Sequence, residues 1–150
     1  MKAHPAHDGP PPPVPGPGAG GPRAVGPGTE PRGGVLILNW RDTTHPEGGG
    51  SEVYVERIAA GLAARGRPVT LLCAAHPGAP ATERVGGIRF VRRGGRLTVY
   101  LHAFWAHLTG RLGGHEVVVD VQNGLPFLSA LWCRRPLVVL VHHVHREQWR

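Results

Sequence analysis

The loop over residues 41–52, RDTTHPEGGGSE, carries the pattern in this sequence that best suits ligand chemistry. Gly48, Gly49 and Gly50 let the backbone approach a ligand closely, and the apolar periodicity that begins at Ser51 predicts a helix there. The free N–H groups and the positive dipole end of such a helix favour a diphosphate or a sugar phosphate. A flexible surface loop with a glycine turn is the alternative, and spacing alone leaves both open.

A nicotinamide dinucleotide is not the ligand that this loop predicts. Such a site needs G-x-G-x-x-G directly after the first strand and an acidic residue near the end of the second strand. Here the glycines come later, and Cys73, Ala74, Ala75 and His76 stand where the acidic residue should be. The sequence therefore disfavours a dinucleotide-dependent dehydrogenase.

Three histidines near the end of the chain raise the question of zinc. His142, His143 and His145 form H-H-x-H, a cluster of residues that bind this metal. Alternation along a strand places His142 on the face opposite to the other two histidines. We therefore expect no metal site.

Short apolar runs that alternate with helical periodicity indicate the elements that must position these residues. Buried strands are predicted where the runs are apolar and rich in β-branched residues, at 35–40, 69–74, 88–93, 117–121 and 137–143. The run at 88–93 is more amphipathic, so we expect it nearer an edge of the sheet. Helices are predicted at 51–65, 97–112 and 126–133.

The second predicted helix has the strongest apolar stripe. The stripe consists of Leu97, Tyr100, Leu101, Phe104, Trp105, Leu108 and Leu112. We expect these side chains to pack in the core. A membrane-facing element is the alternative for such an aromatic helix in a basic chain.

The order strand, helix, strand, strand, helix, strand, helix, strand predicts an α/β fold with a Rossmann-like, doubly wound parallel sheet. Right-handed crossovers bring the carboxyl ends of parallel strands to one edge, where ligands bind. Polar residues follow the predicted strands at that edge: Asn39, Gln122, Asn123 and His142. Each alone fits an ordinary loop hydrogen bond, but together they predict a site.

Glycine and proline are concentrated before the first predicted strand. Residues 1–34 have almost no apolar surface to bury, so we expect a disordered tail there and the folded domain at 35–150. Two distant cysteines in apolar runs, Cys73 and Cys133, fit a reduced cytoplasmic protein. No apolar stretch reaches the length of a membrane span.

The chain is strongly basic, with a formal net charge of +7 in which nearly all cations are arginine. Such a balance raises nucleic acid or an anionic membrane as partners. Only Arg89 to Arg96 forms a dense cluster, however, which favours a solvated basic face.

The run HPEGGGSEVYVERIAAGLAARGRPVTLLCA resembles the opening of the N-terminal domain of family 4 glycosyltransferases, which have the two-domain GT-B architecture. The family's Gly-Gly-x-Glu turn is matched by Gly49, Gly50, Ser51 and Glu52. The helix end and second strand are also similar, although Arg67 and Pro68 replace the customary His-Glu. GGIRFVRR, HEVVVDVQNGLP and PLVVLVHH resemble the third, fourth and fifth strands, so the resemblance covers about residues 35–150.

The resemblance implies a glycosyltransferase, of the hexosyltransferase type and retaining, that moves a sugar from a nucleotide-sugar donor to a lipid, polysaccharide or small-molecule acceptor. The glycine turn would lie against the donor, with Gly49, Gly50 and Ser51 as donor-binding residues. His142 would contact the donor sugar at the reacting centre, and His143 would occupy the next donor position. Gln122 and Asn123 would line the acceptor side. The donor is a substrate, so no cofactor is implied.

The resemblance also implies a missing partner. The family holds the nucleotide through a Glu-x7-Glu motif in its C-terminal domain, and no two glutamates of this sequence have that spacing. We therefore expect an incomplete, acceptor-side half of an enzyme that is inert without a separate nucleotide-binding domain.

Two expectations about surroundings follow. Family members that act on lipid-linked acceptors imply a cytoplasmic protein with peripheral contact to the cytosolic face of a membrane, and no nucleic-acid partner. A non-catalytic α/β binding domain, with a basic face for nucleic acid or an anionic membrane, is the alternative function.

Overall fold

The computed structural model describes residues 33–142. Apart from Gly33 and Gly34, the tail predicted at 1–34 lies outside these residues, as does the end of the chain from His143 onward. The described elements are β1 (Gly34–Leu38), α1 (Gly50–Ala64), β2 (Val69–Cys73), β3 (Thr82–Val85), β4 (Ile88–Arg92), α2 (Thr98–Leu108), β5 (His115–Gln122), α3 (Ser129–Trp132) and β6 (Leu137–Val141).

The strands form one sheet in the order β3-β4-β2-β1-β5-β6. Val35 in β1 pairs in parallel with Val69 of β2 on one side and with Val117 of β5 on the other. The chain crosses from β1 to β2 through α1, from β4 to β5 through α2 and from β5 to β6 through α3, while β3 lies between β2 and β4 in the sequence. The strands β4, β2, β1, β5 and β6 are parallel. The predicted α/β, Rossmann-like, doubly wound sheet is therefore confirmed.

Among the described strands, β3 alone was not predicted from the sequence. β3 is short and polar, with the sequence TERV, and it runs antiparallel to β4 at the edge of the sheet. Gly86 and Gly87 join the two strands, and both have positive φ, as a tight hairpin turn requires. A four-residue strand without an apolar run gives no signal of the kind that revealed the others.

The core lies on both faces of the sheet because side chains alternate along β1. Val35 and Ile37 pack with Val55 and Ala59 of α1 on one face. Leu36 and Leu38 pack on the other face, with Val99 and Ala103 of α2 among their neighbours. α1 and α2 thus cover opposite faces, and the carboxyl edge of the sheet is left free for a site.

The expectation that the apolar stripe of α2 packs in the core was wrong. The helix meets the sheet through Val99 and Ala103, which are fully buried. Of the stripe, Leu112 is buried and Tyr100 is half-buried, but the remaining members are exposed: Leu97, Leu101, Phe104, Trp105 and Leu108. α2 is apolar on both faces, so periodicity did not reveal that the smaller side chains, which allow a close approach, face the sheet.

The expectation of a solvated basic face at Arg89 to Arg96 was wrong for its central member. Arg93 and Arg96 are exposed and Arg89 is half-buried, but Arg92 is 2% exposed and forms ion pairs. Alternation along β4 places Arg92 on the same face as Ile88 and Phe90, where the Asp42 carboxylate balances its charge.

Two other expectations concern thiols and membranes. Both cysteines are free thiols, with Cys73 buried in β2 and Cys133 half-buried. Within residues 33–142, no helix combines the length and the apolar character needed to cross a bilayer.

Candidate functional site

The carboxyl edge of the sheet holds a cavity of about 650 Å³ beside the amino end of α1. It lies where β5 and β6 end and where the loop from β1 enters α1, as the edge rule predicts. Its walls are formed by Arg41, Gly49, Gly50, Ser51, Glu52, Tyr54, Asn123, Leu140, Val141 and His142. Residues from four separate parts of the chain therefore meet here.

Most of the site residues predicted from the sequence line this cavity, namely Gly49, Gly50, Ser51, Asn123 and His142. Gln122 is not among the wall residues; its side chain is half-buried and its carbonyl accepts the His142 N–H at 3.4 Å. His143 lies outside the described residues. Of the two residues predicted for the acceptor side, only Asn123 lines the cavity.

The three glycines of the turn differ in what they do. A Cβ on Gly48 would lie 2.9 Å from the carbonyl oxygen of Asp42, so this position must be glycine for the loop to close. A Cβ on Gly50 would meet no atom within 4 Å, and Gly50 has no positive φ. Since the fold does not require glycine at position 50, the absence of a side chain leaves room for a ligand.

Glu52 lies at the centre of the site and is 1% exposed. One carboxylate oxygen accepts the Gly49 N–H at 2.7 Å and the Ser51 hydroxyl at 2.9 Å. The other accepts the Asn123 side-chain N–H at 3.4 Å. A carboxylate in the first turn is also favoured by the helix dipole. Glu52 therefore holds the glycine turn and Asn123 together, a role that the turn motif alone did not show.

The side-chain amide of Asn123 has a fixed orientation. Its nitrogen faces three oxygens, those of Asn39 at 3.3 Å, Ser51 at 3.1 Å and Glu52 at 3.4 Å. Because these oxygens can accept a hydrogen bond, the amide nitrogen must point toward them and the amide oxygen away from them. That oxygen, Oδ1, is buried and has no hydrogen-bond partner among the described residues.

His142 follows β6 and closes the far wall of the cavity. Its ring meets that of Tyr54 edge to face, with centroids 5.1 Å apart and an interplanar angle of 84°. Its Nε2 atom is buried and has no partner within the described part of the chain. This nitrogen therefore has a hydrogen-bonding capacity that the described residues do not fill.

Arg41 is the wall residue that the sequence reasoning missed. Its guanidinium stacks 4.3 Å from the centroid of the Trp40 ring, and its Nη1 donates to Glu47 at 3.1 Å. Nε lies 3.8 Å from a Glu52 oxygen, beyond hydrogen-bond range, and is buried without a partner in residues 33–142. A basic residue soon after the end of β1, at the predicted ligand edge, was the signal that could have found it.

A buried network fixes the loop that carries Arg41. The Asp42 carboxylate, which is inaccessible to solvent, accepts hydrogen bonds from the Nε of Arg92 on β4 and from Thr44, and it lies 3.2 Å from the His76 ring. Arg92 also pairs with Glu83 at 2.6 Å. Burial by itself raises the pKa of Asp42, but the hydrogen bonds of Arg92 and Thr44 and the positive charge of Arg92 outweigh burial and hold that pKa below its usual value.

A second buried carboxylate fixes the loop on the other side of the cavity. Asp120 on β5 accepts the backbone N–H groups of Phe127 and Ser129, each at 3.3 Å, and the Ser129 hydroxyl. Between them, Leu128 has a φ of 53°, which is strained for a bulky side chain. Asp120 thus holds the segment after Asn123 in a conformation that it would not adopt alone.

The chemistry that this arrangement offers is binding and orientation. Arg41 supplies a cation and a free donor, Asn123 a free acceptor, and His142 a nitrogen that can donate or accept. Within residues 33–142, no three His, Cys, Asp or Glu side chains come together as ligands of a metal ion.

The fold and this cavity define a class: a doubly wound α/β domain with a polar ligand site at the carboxyl edge of its sheet. A family model described as "Glycosyl transferase 4-like domain" matches residues 49–150. This match covers more than half of the chain, so the chain belongs to that family. The resemblance drawn from the sequence is thereby confirmed. A search of curated proteins gives no match.

Proposed function

We propose that this domain is the acceptor-side half of a glycosyltransferase that moves a sugar from a nucleotide-sugar donor to an acceptor hydroxyl. One observation carries the proposal: Arg41 Nε, Asn123 Oδ1 and His142 Nε2 are buried, lack partners among the described residues and belong to residues that line the same cavity. A buried polar atom without a partner costs free energy, so such groups seldom converge unless a ligand or water satisfies them.

The proposed donor fits the chemistry of these groups. Its diphosphate would lie against Gly49, Gly50 and Ser51, where the N–H groups and the dipole of the fifteen-residue helix α1 favour an anion. Its sugar hydroxyls would reach His142 Nε2 and, on the acceptor side, Asn123 Oδ1. His143 and Gln122 keep their proposed donor and acceptor roles at the neighbouring positions.

In the proposed reaction the bond between the sugar C1 and the diphosphate oxygen breaks, a bond forms between C1 and the acceptor oxygen, and the acceptor's proton passes to the departing diphosphate oxygen. The nucleoside diphosphate leaves with the electron pair of the broken bond, and α1 stabilises the developing charge. The family resemblance favours a hexosyl donor and retention at C1. No cofactor is required, since the nucleotide sugar is a substrate.

Transfer should need a second, nucleotide-binding domain. The cavity offers contacts for a diphosphate and hydroxyls, and positioning both reactants in a closed cleft supplies much of the catalysis in such reactions. We propose that residues 33–142 form one wall of that cleft and that the chain alone is nearly inert.

Exchanging Gly50 for alanine should separate binding from folding. A Cβ at position 50 meets no protein atom, and alanine favours a helix. The free energy of unfolding of Gly50→Ala should therefore differ from that of the wild-type chain by no more than about 1 kcal/mol. The methyl group would occupy the proposed diphosphate position, so UDP-glucose and GDP-mannose should bind at least ~10-fold more weakly. Thermal melting and titrations followed by NMR measure the two effects.

Gly48→Ala is the matched control for Gly50→Ala. Its Cβ would collide with the loop backbone, so this variant should lose stability. If Gly50→Ala bound both nucleotide sugars as tightly as the wild-type chain, the proposed donor position would be wrong.

The exposed face of α2 favours a second role, peripheral contact with the cytosolic surface of an anionic membrane. Leu97, Leu101, Phe104, Trp105 and Leu108 are exposed on this helix, which has no acidic residue in its first turn. The adjoining hollow is lined by Arg89, Arg93 and Arg111. Apolar side chains with a border of arginine suit a bilayer interface with anionic headgroups.

Removing the apolar part of this face should weaken vesicle binding. Leu101→Ser with Trp105→Ser should reduce the partition of the chain onto phosphatidylglycerol vesicles at least ~10-fold, because the inserted apolar area is lost. Val85→Ser, which alters an exposed residue on β3, is the control and should change little. Equal binding by the double variant, or tighter binding of the wild-type chain to DNA than to vesicles, would contradict the membrane role.

A further inference from the structure

We propose that Arg41 is the residue that binds a phosphoryl group of the ligand, and that Glu47 holds its guanidinium until the ligand arrives. The inference rests on the proposed function, since it concerns the same cavity. It adds a residue that neither the sequence motifs nor the family match assigns, and it specifies that the ligand is anionic at this point.

The guanidinium is held ready before any ligand binds. It stacks on Trp40 at 4.3 Å, and its side chain is only 18% exposed. The Arg41 carbonyl accepts the side-chain N–H of Asn39 at 2.8 Å, and Asn39 is fully buried. A stacked and anchored arginine loses little freedom on binding, which favours recognition of a planar or tetrahedral anion.

Arg41 has unused binding capacity. Nε is buried, has no hydrogen-bond partner among residues 33–142, and belongs to a wall residue of the cavity. The nearest buried carboxylate is that of Glu52, 3.8 Å away. Glu52 is an ion-pair partner at that distance but does not accept a hydrogen bond from Nε, so the Nε–H group keeps its capacity to donate to a ligand.

The donor geometry of Arg41 favours a phosphoryl group over a neutral hydroxyl, although Glu52 places one carboxylate among the same lining residues. Among the described residues that line the cavity, Arg41 is the only arginine or lysine, and it lies on the same wall as the amino end of α1. A phosphoryl group can accept from Nε and a terminal nitrogen together, a geometry that arginine offers and lysine does not.

The present partner of Arg41 is easily displaced. Glu47 is 68% exposed and holds the guanidinium by one hydrogen bond from Nη1 at 3.1 Å. Exposed ion pairs contribute little because water and salt screen them. A phosphoryl group, with more charge and more oxygens, can therefore replace Glu47 at small cost.

The test compares charge-removing variants of the full 150-residue chain. The probes are inorganic pyrophosphate, UDP-glucose and GDP-mannose, titrated into ¹⁵N-labelled chain while the Arg41 Nε signal and the Gly50 and Ser51 amides are followed. Arg41→Gln should weaken pyrophosphate binding about 10- to 100-fold, as expected for loss of a charged hydrogen-bonded contact. Arg41→Lys should lie between Arg41→Gln and the wild-type chain.

Two further variants make the result specific. Glu47→Gln should tighten pyrophosphate binding about 2- to 5-fold, because the competing carboxylate is gone. Arg57→Gln removes the same charge from an exposed position on α1 and should leave binding unchanged. Thermal melting shows which variants fold. If Arg41→Gln does not fold, the binding of pyrophosphate to Arg41→Lys still tests the role of Arg41.

The outcomes separate this inference from the proposed function. Pyrophosphate binding that depends on Arg41, without binding of either nucleotide sugar, would support Arg41 as the phosphoryl contact and contradict the proposed donor. Nucleotide-sugar binding that Arg41→Gln and Arg41→Lys leave unchanged would overturn the role of Arg41 and support the donor site. Equal losses in Arg41→Gln and Arg57→Gln would also overturn it, and no binding of any probe would overturn both.

Discussion

Replacing Arg92 with methionine is expected to lower the free energy of unfolding by about 3–5 kcal/mol, because the Asp42 carboxylate would remain buried without its cation. Methionine preserves much of the side-chain length and keeps the apolar contacts of the strand. Glu83 would lose its partner as well, but it is partly exposed and contributes less. Urea unfolding at neutral pH measures the change.

The pH dependence of the Arg92 variant provides a second measurement. In the wild-type chain the pKa of Asp42 is lowered, so its contribution is complete above the usual titration range of aspartate and is lost as pH falls through the lowered pKa. Without Arg92, burial dominates and raises that pKa. A folded-state pKa above the unfolded value means that the folded variant binds the proton more tightly than the unfolded chain, so the stability deficit of Arg92→Met relative to the wild-type chain should shrink as pH falls.

Arg84→Met is the control for Arg92→Met, since Arg84 is exposed on β3 and should tolerate the change. If the free energy of unfolding of Arg92→Met were within about 0.5 kcal/mol of the wild-type value, the buried network would not be what holds the loop that carries Arg41.

Replacing Asp120 with alanine is expected to cost about 2–4 kcal/mol, because it leaves two buried backbone N–H groups without acceptors. The strained Leu128 lies between these two groups and would relax. The effect should be local as well as global: the Phe127 and Ser129 amides should lose protection from hydrogen exchange before the sheet does.

Glu116→Ala tests the same strand without touching the loop. Glu116 is the second residue of β5, is largely exposed and lies 3.8 Å from Arg67, so its loss should change stability little. Unchanged protection of Phe127 and Ser129 in Asp120→Ala would mean that another contact holds the segment after Asn123.

The architecture was predictable because each of its central strands contains a mostly apolar run. β1, β2 and β5 need two packed faces, and only a parallel sheet between helices offers them. The faces of α2 were not predictable, because Val99 and Trp105 are both apolar and periodicity does not rank them. Nor was the burial of Arg92, which depends on an aspartate fifty residues away in the sequence.

The site was predictable where it follows from topology. The carboxyl-edge rule placed the glycine turn, Asn123 and His142 near each other, and the structure brings them to one cavity. Arg41 and the bridging role of Glu52 were missed, because they depend on how the loop after β1 turns back over α1. Spacing along the chain carries little information about such a turn.

An NMR titration of the ¹⁵N-labelled chain with UDP-glucose and GDP-mannose tests directly whether the cavity is the donor site. At least one of the two nucleotide sugars should shift the amides of Gly49, Gly50, Ser51, Asn123 and His142, which line the cavity. Shifts confined to α2 or to the β3–β4 hairpin, or no shifts at millimolar nucleotide sugar, would contradict this assignment of the donor site.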